Sequence, residues 1–193
     1  MSFKIGKSSN SELTKEIISQ VNGLSYFPNF LSDKNHQQLL NVLTSIDYKL
    51  VSGRPTKFFG LEYTHRKRTH DSEIKEIPSF FNLLDPLNLN FHQLIIEYFR
   101  RDDGHNYIKE SDIFGDSVII ICIGSSFMYS MREGSNKINF LVEPGSLLHI
   151  SGESRKWERS IKYRIKERFN GLIIPREDFY TFTFRNIRKN LLF

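Results

Sequence analysis

The stretch SVIIICIG at residues 117–124 is the most informative segment of this 193-residue chain. Val118, Ile119, Ile120 and Ile121 form an uninterrupted apolar run that continues into Cys122. A strand covered on one face only alternates apolar and polar residues, so an unbroken run of β-branched residues predicts a strand that is buried on both faces. The rest of the fold must therefore cover this strand on each side.

Short runs of β-branched and aromatic residues, separated by turn residues, surround this segment. Strands are predicted at 58–63, 91–99, 117–124, 127–131, 137–142, 146–150, 160–165, 171–174 and 179–185. Residues 132–136, which include Gly134 and Ser135, predict a hairpin loop. Residues 143–145, Glu-Pro-Gly, predict a sharp turn.

Helical patterns come before most of these strands. Ser11 is the predicted cap of a helix that runs to about Val21, and Ser32 is the predicted cap of a second helix. A short third helix is predicted at 77–84, entered at Pro78. The sequence thus predicts an α+β fold that is mainly β, a sandwich or jelly roll backed by N-terminal helices.

The composition is that of a folded intracellular protein. Hydrophobic residues make up 39% of the chain and aromatic residues 13%, and Cys122 is the single cysteine. One cysteine excludes an intrachain disulfide and a cysteine-built zinc site, and its apolar surroundings predict a buried structural thiol. With no secretory apolar core and no run of about 18 apolar residues, the sequence favours the cytoplasm or nucleus and no membrane span, with the mitochondrion as an alternative.

Positive charge is concentrated near the end of the chain. The sequence has 27 Lys and Arg against 22 Asp and Glu, and residues 151–193 hold 11 of the cations and five of the acids. The candidates for contact with a polyanion are Arg155, Lys156, Lys162, Arg164, Lys166 and Arg168. With Trp157 and Tyr163 among them, they predict a surface for nucleic acid or for a protein partner. A solubilising face is the alternative.

The order of short motifs resembles the AlkB-type family of 2-oxoglutarate- and Fe(II)-dependent dioxygenases. The motifs are FPNFLS at 27–32, RP at 54–55, FG at 59–60, IP at 77–78, DG at 103–104, FGD at 114–116, PGSLL at 144–148 and TFR at 183–185. The resemblance covers residues 24–188, preceded by a helical extension at 1–23 and followed by a tail at 189–193. It implies a double-stranded β-helix, which is a jelly roll, in agreement with the strand pattern.

The same resemblance implies an Fe(II) site made of His-x-Asp/Glu and a later His. The residues two positions after the six histidines are Gln38, Lys67, Ser72, Leu94, Tyr107 and Ser151, and none is a carboxylate. Alignment with the family places Ile108 and Glu110 at the first pair and Arg159 at the second histidine. Because Ile has no donor atom and Arg is a cation, the metal site is expected to be degenerate, with Arg159 paired to Glu110. A relocated site is the alternative, with the candidates His105, Asp112, Asp116 and His149.

The cosubstrate positions implied by the resemblance are also incomplete. Two arginines six residues apart serve 2-oxoglutarate in the family, and here the positions hold Phe179 and Arg185. Of an Asn-x-Tyr motif that helps to hold the cosubstrate, only the tyrosine is present, as Tyr98. No cofactor is therefore predicted.

Three functions remain open on the sequence. The favoured one is a catalytically inactive protein that acts by binding, as a subunit of a larger assembly or as a nucleic-acid-associated module. The second is an active oxidative demethylase of nucleic acid or protein that uses Fe(II) and 2-oxoglutarate with non-standard ligands. The third is a small-acid binder in which Arg185 and Tyr98 hold a carboxylate.

Overall fold

The computed structural model describes residues 9–60, 77–78, 81 and 91–188. Within these ranges the helices are α1 (Asn10–Ile18) and α2 (Asp33–Leu43). The strands are β1 (Leu24–Phe27), β2 (Lys49–Val51), β3 (Arg54–Gly60), β4 (Gln93–Phe99), β5 (His105–Ile108), β6 (Phe114–Gly124), β7 (Phe127–Glu133), β8 (Asn136–Val142), β9 (Leu147–Ser151), β10 (Glu158–Ile161), β11 (Lys166–Phe169), β12 (Leu172–Pro175) and β13 (Phe179–Ile187). A short 3₁₀ helix, Gly152–Lys156, connects β9 to β10.

The strands form two facing sheets and a separate hairpin. The larger sheet has the order β1-β9-β6-β13-β4-β3-β2, the smaller one has the order β5-β10-β7-β8, and β11 pairs with β12. All of these pairings are antiparallel. The predicted mainly β fold, a jelly roll backed by N-terminal helices, is confirmed.

Strand β6 lies inside the larger sheet, between β9 and β13, and is buried on both faces as predicted. Val118, Ile120 and Cys122 belong to the core between the two sheets. Ile119 and Ile121 belong to the core on the opposite face, where α2 packs. Cys122 is buried, as predicted, and burial raises the pKa of its thiol above the ordinary range.

The helices begin close to the predicted positions. The N-terminal cap of α1 is Ser9 and not Ser11, because Ser9 and Glu12 form a reciprocal capping box. Ser11 lies inside the helix and donates its hydroxyl proton to Glu143 at 2.5 Å. The predicted Ser32 cap of α2 is confirmed, since its hydroxyl accepts a hydrogen bond from the Asn35 amide.

The predicted turns are also present. β7 and β8 are joined through Gly134 and Ser135. In the turn at 143–145, Gly145 has a positive φ of 72°, and the Ser146 amide donates to the Glu143 carbonyl.

Some strand boundaries differ from the prediction. The predicted strand at 160–165 is shorter and lies earlier, as β10, because the chain leaves the smaller sheet after Ile161. The short strands β1, β2, β5 and β11 were not predicted. The predicted helix at 77–84, the end of the strand at 58–63 and the tail at 189–193 lie largely or wholly outside the described residues. None of the described helices is long and apolar enough to cross a bilayer.

Candidate functional site

The three positions that were aligned with metal ligands lie together where β5 meets β10. Arg159 on β10 is the cross-strand partner of Ile108 on β5. Glu110 follows two residues after Ile108 and is buried. The antiparallel pairing of two strands that are far apart in sequence therefore creates the site.

Glu110 is surrounded by three arginines. Its Oε2 atom accepts a hydrogen bond from Nη2 of Arg159. The Nη1 atom of Arg155 lies 3.6 Å from the same oxygen, and the Nε atom of Arg185 lies 3.4 Å from Oε1. The predicted contact between Arg159 and Glu110 is present, and two further cations join it. We call these four side chains the Glu110 cluster.

The Glu110 cluster holds more positive than negative charge in a nearly dry place. The side chains of Glu110 and Arg159 are 2% and 4% exposed, and those of Arg155 and Arg185 are 12% and 13% exposed. One carboxylate thus faces three guanidinium groups. Oε1 of Glu110, Nη1 of Arg155 and Nε of Arg185 make no hydrogen bond within the described part of the chain.

The pKa values follow from this arrangement. Burial by itself raises the pKa of Glu110, but Arg185, Arg159 and Arg155 outweigh it and hold the pKa at about 2. For Arg159, burial is outweighed by Glu110 and Tyr129, so its pKa rises above the ordinary range. For Arg155 and Arg185, burial lowers the pKa and Glu110 offsets this only in part. The single carboxylate therefore compensates Arg159 well and the other two arginines incompletely.

The donors at this position do not suit Fe(II). Octahedral Fe(II) with open positions requires imidazole and carboxylate ligands, whereas Ile108 has no donor atom and a guanidinium is a cation without a free lone pair. Across 9–60, 77–78, 81 and 91–188, no group of three His, Cys, Asp or Glu side chains is arranged to hold a metal ion. The four candidates for a relocated site are thus not assembled; His149, for instance, has its Nε2 atom 2.5 Å from the Ser117 hydroxyl.

A small cavity of about 40 Å³ lies between the sheets beside the Glu110 cluster. Its polar lining includes Glu97, Tyr129, Arg159, Thr183 and Arg185. Arg185, predicted to remain from the cosubstrate site, therefore faces this cavity.

The other two predicted cosubstrate positions, Phe179 and Tyr98, do not line this cavity. Phe179 stacks between Phe99 and Phe127, at centroid distances of 4.7 and 4.5 Å, and fills the core. Tyr98 faces away from the cavity: its hydroxyl bonds to Asp178 and its ring packs 5.0 Å from Tyr180. The assignment of Tyr98 to the pocket was therefore wrong.

The physical reason is the period of two along a strand. Side chains of β4 alternate between the faces of the larger sheet, so the residues on either side of Tyr98 point inward. Glu97 and Phe99 do line the cavity. A shift of one residue in the alignment is enough to exchange the two faces.

The basic stretch at 155–168 does not form one continuous surface. Arg155 and Arg159 point into the Glu110 cluster, so Arg155 is removed from the polyanion candidates. Trp157 is only 8% exposed and cannot stack on a base. Arg164 is half-buried, 3.3 Å from Glu167. The exposed cations of the stretch are Lys156, Lys162, Lys166 and Arg168.

A second buried charge pair was missed by the sequence reasoning. Glu167 and Arg176 have side chains that are 0% exposed, and Nη1 of Arg176 lies 3.3 Å from Oε1 of Glu167. The same carboxylate oxygen accepts a hydrogen bond from the Met128 amide at 3.1 Å. The only local signal was that Glu167 shares the parity of the apolar Phe169 on β11 and so had to face inward with it.

The comparisons with known proteins agree with the fold. The chain has the jelly-roll fold of the 2-oxoglutarate- and Fe(II)-dependent oxygenases, and the expected resemblance to the AlkB-type proteins is confirmed at that level. The structure of OsALKBH1 matches with a TM-score of 0.64 and 12% identity, over 85% of this chain and 98% of the other. An oxidoreductase of the 2OG-Fe(II) oxygenase family from Burkholderia pseudomallei matches with a TM-score of 0.62 and 9% identity, over 95% and 93%.

A prolyl-4-hydroxylase from Pseudomonas putida matches with a TM-score of 0.54 and 10% identity, over 91% of this chain and 98% of the other. No protein-family model and no curated protein matches the sequence. At identities this low, the TM-scores show that the fold is shared.

Proposed function

We propose that this protein has the dioxygenase fold but works by binding rather than by iron-dependent oxidation. The observation that carries the proposal is the contact between Arg159 and Glu110, buried directly beside Ile108. A permanent cation at a position where the fold would hold Fe(II) repels the metal and occupies the carboxylate that would bind it. The protein then acts as a subunit of an assembly or as a module associated with nucleic acid.

Iron analysis tests this proposal directly. We expect the full-length protein, incubated anaerobically with Fe(II) and 2-oxoglutarate and then desalted, to retain no more iron than a buffer control. A second sample that keeps its Fe(II) and 2-oxoglutarate should form no succinate on exposure to oxygen. Stoichiometric iron together with succinate formation would instead support an active demethylase with non-standard ligands and overturn the proposal.

A matched variant sharpens the test. Combining Ile108→His with Arg159→His supplies two imidazoles beside Glu110, which completes the two-histidine, one-carboxylate donor set. We expect this variant, unlike the parent protein, to retain iron well above the buffer control. Equal iron content in the parent protein and the variant would contradict the assignment of these positions.

The charge imbalance favours a second candidate function, the binding of a small acid. Arg185 lines the cavity, and its charge is only partly compensated by Glu110. An anion in the cavity would supply the missing negative charge. This candidate no longer includes Tyr98, which faces the opposite side of the sheet.

Calorimetry distinguishes this candidate. We expect acetate, which is small enough for a cavity of about 40 Å³, to bind with a Kd of about 1 mM or below, and Arg185→Met to weaken that binding about tenfold, because one charge-assisted hydrogen bond contributes about 1.5–3 kcal/mol. Lys109→Met, which removes an exposed cation outside the cluster, is the control. If acetate does not bind, or if both variants bind it equally, the small-acid function is wrong.

A further inference from the structure

The β11–β12 hairpin has one face that is fixed to the domain and one that is not. On the inner face, Glu167 forms the buried pair with Arg176, and Phe169 packs with Met128 and Leu141. Nη1 of Arg176 also donates to the Lys162 carbonyl at 2.8 Å. These contacts attach the inner face of the hairpin to the domain and leave its outer face uncovered.

The outer face combines exposed apolar residues with cations. Ile173 is the cross-strand partner of Arg168, and Pro175 is the partner of Lys166, so these four side chains lie on one face. All four are exposed, and Ile173 is 58% exposed. We call these four side chains the hairpin surface; Leu172, the cross-strand partner of Phe169, lies on the opposite face.

The hairpin surface carries positive charge that the hairpin does not balance. Its only carboxylate, Glu167, points to the inner face. A depression of about 210 Å³ lies at the tip, lined by Arg168, Phe169, Asn170, Gly171, Leu172 and Ile173. The chemistry that complements this surface is acidic and apolar together.

The backbone edge of β12 adds a directional feature. Asn170 and Gly171 form a two-residue turn with positive φ values of 52° and 72°. Such a turn is closed by a hydrogen-bonded pair, here Phe169 and Leu172, so the next pair along is not hydrogen-bonded across the hairpin. The N–H and C=O of Ile173 therefore point outward, at an edge that pairs with no other described strand.

We propose that the hairpin surface docks an extended segment of a partner protein in which acidic and aliphatic residues both stand at every second position, so that they share one face. The partner strand bonds to the Ile173 backbone, places its carboxylates near Lys166 and Arg168, and packs its apolar side chains against Ile173 and Pro175. Aliphatic side chains and an open strand edge suit a peptide better than a nucleic acid, which would be held by aromatic stacking and phosphate contacts. The inference takes from the proposed function only that the protein acts by binding.

Selection from a display library of random peptides of about 12 residues tests this without knowledge of the partner. With the full chain as target, we expect the enriched peptides to carry Asp or Glu and also Leu, Ile or Val at every second position, on one face of the extended peptide. Combined Lys166→Glu and Arg168→Glu should weaken their binding about tenfold or more. Ile173→Pro, which removes the outward N–H and replaces the isoleucine side chain by a smaller ring, should weaken it similarly, with circular dichroism showing that the fold is kept.

Lys49→Glu and Leu50→Asp are the matched controls. Both residues are exposed on β2, at the edge of the larger sheet, and these substitutions should leave binding unchanged. No enrichment, enrichment of peptides without acids, or equal binding by the hairpin variants would overturn the proposal. Salt-dependent binding of single-stranded RNA that is lost in the double charge reversal would assign the surface to nucleic acid instead. Iron retention and succinate formation would contradict the proposed function alone, whatever the peptides do.

Discussion

Replacing Glu110 by Gln is expected to lower the free energy of unfolding by about 3–5 kcal/mol. The substitution removes the single negative charge that faces three nearly buried guanidinium groups. Gln keeps the size and one hydrogen-bond acceptor, so the loss measures charge compensation more than packing. Urea unfolding at about pH 7, followed by the fluorescence of the buried Trp157, measures the effect.

Two variants in the same region serve as controls. Arg155→Met removes one surplus cation from the same cluster and is expected to change the free energy of unfolding by only about 1 kcal/mol, because the carboxylate keeps its bond to Arg159. Glu153→Gln changes an exposed carboxylate and should have an effect within about 0.5 kcal/mol. If Glu110→Gln is as mild as either control, the cluster does not depend on this carboxylate.

The contribution of Glu110 to the free energy of unfolding is expected to decrease as the pH falls. The pKa of Glu110 is about 2 in the folded protein, against an ordinary value of 4.5. A lowered folded pKa stabilises the protein fully above the unfolded value, and this stabilisation is lost as the pH falls from about 4.5 toward 2. Glu110→Gln should therefore lose this part of the acid sensitivity, so that the difference in unfolding free energy between the two proteins shrinks from about pH 7 to about pH 3. A constant difference would contradict the lowered pKa.

Replacing Glu167 by Leu is expected to have an effect of similar size, about 3–5 kcal/mol. Arg176 would then be fully buried without its carboxylate, and the Met128 amide would lose its acceptor. These contacts attach the β11–β12 hairpin to the domain. The substitution should therefore accelerate hydrogen exchange of the hairpin amides, relative to the parent protein, more than that of the β6 amides. Urea unfolding and native-state hydrogen exchange measure the two parts.

A double replacement separates charge from packing. Combining Glu167→Leu with Arg176→Met removes both charges and is expected to recover most of the lost stability, since a buried ion pair and a well-packed apolar pair are often equivalent in energy. Glu158→Gln on the exposed pair with Arg132 is the matched control, with an expected loss below about 1 kcal/mol. Failure of the double variant to recover would show that the hydrogen bonds of this pair matter more than its charges.

The Glu110 cluster and the Glu167–Arg176 pair each join segments that are distant in sequence. The Glu110 cluster joins the segment after β5 to β10, β13 and the 3₁₀ helix, and the Glu167 pair joins β11 to the segment after β12. The first cluster lies beside the cavity between the sheets, and the second positions the hairpin surface. Charged groups thus shape both regions for which a binding role is proposed.

Much of the fold was predictable because its signals are local. The β6 strand follows from an unbroken apolar run, the α2 helix from the Ser32 cap and the spacing of its apolar residues, and the β7–β8 turn from Gly134 and Ser135. The errors were also local in origin. The cap of α1 is Ser9 and not the predicted Ser11, and short strands such as β5 were not predicted because four residues show little periodicity.

The candidate site was predictable only in part. The order of motifs brought Ile108, Glu110 and Arg159 together, and the strand pairing agrees. The same alignment placed Tyr98 on the wrong face, because order along the chain does not fix which of two alternating residues points inward. It also counted Arg155 as a surface cation, although its guanidinium lies beside Glu110.

The sequence by itself determined a β-rich jelly roll with N-terminal helices, a central strand buried on both faces, and a basic C-terminal region. Only the tertiary structure decided which charges are buried and which are free. The partners of Glu110 lie 45, 49 and 75 positions away in the chain, at Arg155, Arg159 and Arg185. Burial of a charge depends on whether such distant partners arrive to compensate it, and local patterns do not record that.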